Sequence, residues 1–139
     1  MDDSIDMDYR EAADMIAQKV LKSQPGVYIW GGEPTVELPS SPGQGGRNQA
    51  LALLLGLKLS GYEHISVLVA GTDGTDGPTD AAGAIIDGQS VHKASHLGWD
   101  VERVLSDANA YPCLGAIDSL FLPGPTGTNV MDLVVVLVE

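Results

Sequence analysis

Two unbroken apolar runs constrain this chain more than any other feature. Residues 65–70 read ISVLVA, and residues 131–138, MDLVVVLV, end in the second run. β-Branched and leucine residues without polar alternation are the pattern of strands covered on both faces. Helical patterns accompany them. In DYREAADMIAQKVLKS (8–23), Ala12, Ala13, Ile16 and Val20 recur at helical spacing. Asp8 and Glu11 resemble a capping box, and Pro25-Gly26 ends the helix. RNQALALLLGLKLSG (47–61) carries leucine on nearly every face, which predicts a helix buried on more than one side. Residues 89–117 read as broken helices, VYIW (27–30) as a strand with TVEL (35–38) as its hairpin partner, and SLFL (119–122) as a short strand. The expectation is an α/β fold: one three-layer-like domain, a mixed or mostly parallel sheet, helices on both faces. Residues 1–26 then form a helical N-terminal extension and residues 27–139 the α/β domain.

Bulk properties narrow the function. The 139 residues suit one domain, and 44% hydrophobic content is enough for a core. A net charge of −12 repels phosphate backbones and anionic lipid, so neither nucleic acid nor membrane is an expected partner. No apolar run approaches the ~20 residues of a membrane helix. The N-terminus lacks the apolar stretch of a secretory signal, and its acids Asp2, Asp3, Asp6 and Asp8 read as a frayed terminus. Cys113 is the single cysteine, so no intrachain disulfide forms, and a cytoplasmic location is expected.

Three glycine-rich segments lie where open α/β sheets place ligands. The first, GQGGRNQ (43–49), puts Gly45 and Gly46 ahead of a helix whose free N–H groups suit an anion. Arg47 is one of only seven basic residues, and a guanidinium clamps a carboxylate or phosphate with two parallel bonds. Asn48 and Gln49 add neutral hydrogen-bonding groups. The second, VAGTDGTDGPTDAAGAIIDG (69–88), holds Asp73, Asp76 and Asp80 among Thr72, Thr79 and glycines. It fits neither an EF-hand nor a P-loop, and no dinucleotide fingerprint occurs. Its acids suit hydrogen bonds from substrate hydroxyls, Mg²⁺ at Asp73 and Asp76, or a general base; a plain turn-rich loop is the competing reading. The third, GPTGTN (124–129), offers Thr126, Gly127, Thr128 and Asn129 as an anion cradle or a tight turn. His92 and His96 have metal-ligand spacing without a third ligand in register, and Cys113, Trp30 and Trp99 read as core residues.

Together, GGEPTVEL…GQGGRNQALAL, AGTDGTDGPTDAAGAIIDG and GPTGTNVMDLVVVLV resemble the C-terminal MOFRL domain of the class II glycerate 2-kinases, whose members have also carried the name hydroxypyruvate reductase. The resemblance runs from about residue 27 to the end, with three motifs in the family's order. It implies phosphorylation of the 2-hydroxyl of D-glycerate by ATP and Mg²⁺, in a cleft between this domain and a larger N-terminal domain. It places Arg47 near the substrate or the transferring phosphoryl group, and Asp73, Asp76, Asp80, Thr126, Thr128 and Asn129 on the family's acidic and GPTGTN loops. The pattern departs at Pro34, where threonine is usual, at Met131, where a polar residue is more common, and at Ser40-Ser41-Pro42. Residues 1–26 are too few to replace an N-terminal domain. The expected ligand is a small hydroxy acid. The expected partner is a kinase domain on a separate chain or a second copy, meeting an apolar face left open here. A non-catalytic acid-binding module is the alternative; a reductase is disfavoured without a dinucleotide fingerprint.

Overall fold

The computed structural model describes residues 4–139, so Asp2 and Asp3 of the acidic cluster lie outside the described residues. The described chain forms α1 (Tyr9–Val20), β1 (Gly26–Gly32), α2 (Arg47–Lys58), β2 (Ile65–Gly71), β3 (Gly83–Asp87), α3 (Ser90–His96), α4 (Val101–Ser106), α5 (Ala110–Ala116), β4 (Leu120–Phe121) and β5 (Asp132–Val138). The strands build one sheet in the order β1-β5-β2-β3-β4. Every pairing between these strands is antiparallel, which corrects the mostly parallel sheet expected from the apolar runs. β1 and β2, joined through α2, do not pair with each other but with β5, which runs the other way between them; for β2 and β3 the reason is their connection. Residues 72–82 form a long loop rather than a crossover helix, and parallel neighbours need a crossover.

The helices lie on one face, not two. Register places Trp30, Val134, Val67 and Ile86 on the covered side, all buried. Alternate residues Val27, Ile29, Leu133, Leu137 and Ile85 point the other way and are 61%, 57%, 37%, 40% and 49% exposed. An apolar run with apolar residues on both sides of the pleat reads the same whether one face or two are covered. The expected hairpin partner at 35–38 is not a strand. Thr35 instead bridges Asp8, and β5 takes the place beside β1.

α2 is the central helix. Every residue from Asn48 to Gly56 is buried, because one side meets β2 and β3 and another meets α1. Asp8 caps α1 by accepting from Arg10 N–H at 2.9 Å. Ile5, Tyr9, Ala12, Ala13, Ile16 and Val20 enter the same core as Leu51, Leu55 and Val136. The N-terminal segment is held as well: Ile5 N–H donates to Gly31 O at 3.0 Å, and Asp6 Oδ1 accepts Glu33 N–H at 2.7 Å. Asp6 and Asp8 are therefore structural acids, not a frayed end, and the contact with Glu33 N–H holds the Asp6 carboxyl below its ordinary value. Cys113 is buried and desolvation pushes its thiol up to about 11, in keeping with a packing role.

Ile16 is fully buried where α1 meets the rest of the core. Ile16→Ala is expected to lower the unfolding free energy by about 2–5 kcal/mol in a urea titration, with a single transition. A loss below 0.5 kcal/mol would show α1 to be a dispensable appendage.

Candidate active site

The site begins with one row across the sheet. Gly32 of β1, Asp132 of β5 and Gly71 of β2 are register partners at the same end of the sheet. Asp132 thus enters the covered face between two residues without side chains. Arg47, the first residue of α2, fills that space. Its Nε donates to Asp132 Oδ2 at 2.6 Å and its Nη2 to Oδ1 at 3.3 Å. The Asp132 side chain is 4% exposed, so the pair is a bidentate, charge-assisted contact shielded from water on the aspartate side. Glu33, 57% exposed, forms an ion pair with Nη2 at 3.0 Å. The Asp132 hydrogen bonds are the main reason the guanidinium is held above its ordinary pKa.

The second loop ties itself to the first through Asp76. Its Oδ1 accepts Asn48 N–H at 3.0 Å, and its Oδ2 accepts Gln49 N–H at 2.9 Å and Gln49 Nε2 at 3.0 Å. The N-cap position of α2 is Gly46, which has no side chain to accept the free N–H groups of the first turn. Asp76 performs that function from across the loop. A Cβ on Gly46 would lie 2.3 Å from the Asp76 carboxyl carbon, so the missing side chain is what lets the carboxylate in. Burial raises the Asp76 pKa above the ordinary 3.8, and the Asn48 and Gln49 N–H groups pull the other way. Thr79 packs beneath, accepting from Gln49 Nε2 at 3.0 Å and donating to Asp76 O at 2.8 Å.

The third loop is stitched to the second. Thr126 Oγ1 donates to Thr72 O, and Thr72 Oγ1 donates to Met131 O at 2.7 Å and accepts Val130 N–H at 2.8 Å. Gly74 has φ +91°, and a Cβ there would lie 2.2 Å from Gly124 O.

The loops enclose a cleft of about 290 Å³ lined by Gly45, Gly46, Arg47, Asp73, Asp76, Asn129 and Asp132, with Val36, Leu38 and Pro78 on one side. The structure therefore brings together the expected Arg47, Asp73, Asp76, Gly45, Gly46 and Asn129. Asn48, Gln49, Thr72, Thr79 and Thr126 hold the loops, while Gly127 and Thr128 lie exposed outside the lining. Asp80 also lies outside it and accepts Tyr111 Oη–H at 2.6 Å. Sequence reasoning missed Asp132 and Glu33. The available signal was an aspartate opening an apolar strand, a buried charge that requires a cation.

Among the described residues no three of His, Cys, Asp and Glu lie close enough to hold a metal ion, at His92 and His96 or at Asp73 and Asp76. With the oxygens of Asp76 occupied by N–H groups, this chain's residues do not by themselves fit an Mg²⁺ site.

The chain with this helix layer, antiparallel sheet and three-loop cleft belongs to the MOFRL family, whose model matches residues 26–132. Among its relatives, a glycerate 2-kinase of Pyrococcus horikoshii is 46% identical over 82% of this chain and 26% of its own length. A D-glycerate 2-kinase of Thermotoga maritima is 42% identical over 97% of this chain and 34% of its own. The crystal structure of a Thermotoga maritima glycerate kinase superposes with a TM-score of 0.93 at 40% identity, covering 98% of this chain and 34% of that one. This chain spans about a quarter to a third of the length of these relatives.

Two outcomes test the loop architecture. Asp76→Ala leaves two backbone N–H groups and the Gln49 amide without their buried acceptor, and is expected to cost about 2–4 kcal/mol of stability. Because the folded-state pKa of Asp76 is raised, its linkage contribution is full below 3.8 and is lost as pH rises through the folded value. The penalty measured by urea titration should therefore shrink from acid toward neutral pH; a penalty that grows with pH would refute this. Met131 has φ +71°, a left-handed conformation that asparagine tolerates better than methionine, and it is 49% exposed. Met131→Asn is expected to raise stability by about 0.5–1 kcal/mol, read as a rise of a few degrees in Tm; an unchanged or lower Tm contradicts it.

Proposed function

We propose that this chain is the substrate-side domain of an ATP-dependent glycerate 2-kinase, transferring a phosphoryl group to the 2-hydroxyl of D-glycerate. The observation that carries the reading is Arg47 at the junction of three loops, held by Asp132 through Nε and Nη2, with Nη1 in none of those hydrogen bonds. A guanidinium fixed on one edge offers its other edge to an oxyanion without reorganising. In a chain of net charge −12, such a cation in a cleft suits an acid substrate or a transferring phosphoryl group.

The three acids take different roles. Asp73 lines the cleft, and its Oδ1 accepts Thr75 N–H at 3.0 Å in a tight turn. Among the described residues nothing hydrogen-bonds its Oδ2, so Asp73 is assigned as the carboxylate that accepts the 2-hydroxyl proton. Asp76 positions the arginine loop. Asp80 steadies Tyr111 at the rim. Phosphoryl transfer depends on placement and charge more than on covalent participation by the protein, and a clamp with one base meets that need on the acceptor side.

ATP and Mg²⁺ are assigned to the part of a full-length kinase outside the stretch that the relatives share with these 139 residues. These relatives are about three times as long as this chain, and the uncovered sheet face presents Val27, Ile29, Leu133 and Leu137. A surface of that kind marks an interface. The partner is read as a nucleotide-binding domain covering that face, with a second copy of this chain as the alternative occupant.

The test is ATP-dependent glycerate phosphorylation by the chain alone and after addition of the remaining part of the Thermotoga relative. Activity is expected only in the mixture; ligand binding without turnover in either case would favour a non-catalytic acid-binding module. Asp73→Asn keeps an oxygen for Thr75 N–H and is expected to lower turnover at least ~100-fold with an unchanged Tm. Asp80→Asn should leave turnover within about twofold, since its loss removes a rim contact of modest worth. Equal rates for Asp73→Asn and the parent would remove Asp73 from the reaction.

A further inference from the structure

The two carboxylates on Arg47 are not equivalent. Asp132 is buried, rigidly placed on a central strand, and engages two nitrogens of the guanidinium. Its side chain is only 4% exposed, and its departure would leave a buried charge unpaired. Glu33 is 57% exposed, follows the last residue of the edge strand β1, and meets one nitrogen. Its backbone is anchored, because Asp6 takes its N–H at 2.7 Å. The side chain alone is therefore free to leave, and it leaves into solvent.

Charge makes that difference consequential. Arg47 carries one positive charge against Asp132 and Glu33, and Asp73 and Asp76 line the same cleft. An anion that arrived while Glu33 stayed in place would meet a net negative site. An anion that replaced Glu33 at Nη2 and also took Nη1 would gain a two-point grip and leave the number of carboxylates on the arginine unchanged.

We propose that Glu33 is a displaceable stand-in for the ligand. Its carboxylate occupies part of the position that an oxyanion takes on Arg47, so binding is an exchange of one carboxylate for another group. The inference rests on the small-acid reading above and adds the residue that sets its affinity. The shared ligand chemistry is an oxyanion able to span Nη1 and Nη2, either a planar carboxylate or a tetrahedral phosphate. The site then rejects anions unable to outcompete an internal carboxylate. Because one exposed ion pair is exchanged for another, binding should depend less on salt in the parent protein than in Glu33→Gln, where the ligand forms a pair and none is broken.

The experiment is isothermal titration of the parent chain and of Glu33→Gln with two probes, D-glycerate and inorganic phosphate, at low ionic strength. In the same samples the Arg47 Nε–H is followed by ¹⁵N NMR, since its bond to Asp132 should persist in both. Glu33 is exposed and its substitution leaves Asp132, Asp76 and the loops untouched. Glu33→Gln is expected to bind at least one probe about two- to fivefold more tightly, the range an exposed ion pair supports. The tighter probe identifies the ligand as carboxylate or phosphate. Equal or weaker binding by Glu33→Gln, with measurable binding by the parent, overturns the role of Glu33 and leaves the small-acid reading standing. Tighter binding accompanied by loss of the Arg47 Nε–H signal also overturns it, because the gain then comes from a loosened arginine. Absence of binding by both proteins to both probes removes the small-acid reading and this inference with it.

Discussion

The contact between the Asp76 carboxylate and the first turn of α2 is the one on which the site depends. A helix starting at a glycine N-cap has donors and no acceptor of its own. Asp76 supplies the acceptor from the loop between β2 and β3, and in doing so joins the two segments that carry Arg47 and Asp73. The joint is buried, so its hydrogen bonds act in low dielectric and resist exchange with water. The same desolvation raises the pKa of Asp76. Three N–H donors make a buried carboxylate tolerable, and they also occupy it, which separates its role from that of Asp73.

From this joint the rest of the site follows by contact. Gly46 leaves room for the carboxylate, Arg47 follows immediately and turns toward Asp132, and Asp132 stands between Gly32 and Gly71 in register. Glycines at both neighbouring positions clear the width a guanidinium needs. The third loop is coupled through Thr72, which both precedes Asp73 and bonds Met131, the residue before Asp132. The arginine, its counter-ion and the candidate base are thus held by one connected set of hydrogen bonds across four segments. The strained φ of Met131 belongs to that set, since its carbonyl accepts from Thr72 twice, through N–H and Oγ1.

Much of this was legible in the sequence, and the part that was not has physical causes. Glycine loops announce themselves because close backbone approach excludes side chains, and Arg47 stands out because cations are scarce in this chain. The helices at 8–23 and 47–61 have period and stop signals. Sheet direction was not legible, because ISVLVA reads the same in either orientation, and the direction turns on the long 72–82 connection and on β5 entering between β1 and β2. β3 was hidden in AAGAIIDG, where small residues packed under α2 mimic a loop. Asp132 was hidden by its place at the head of an apolar run, and Glu33 by the turn-like GGEP context. The roles of the three aspartates were indistinguishable by composition. They separate only when each oxygen is assigned a donor: Asn48 and Gln49 for Asp76, Tyr111 for Asp80, Thr75 for one side of Asp73 alone.

The open face of the sheet and the cleft share an edge. Leu133 faces outward one residue after Asp132, and Ile29 does so two residues before Gly31 on the neighbouring strand, so apolar surface runs up to the row that holds Arg47. Under the proposed function, one contact serves two needs. A domain that covers Val27, Ile29, Leu133 and Leu137 removes apolar area from water, and the part of it that overhangs the edge forms the missing wall of the cleft. Closing that wall excludes water from Arg47, where every electrostatic interaction strengthens as the dielectric falls. A closed cleft has room on its single cation for Asp132 and one further anion, so under that proposal Glu33 and the ligand cannot both be enclosed. Closure over a bound anion then requires Glu33 to have moved out to solvent, where its exposed position lets it go.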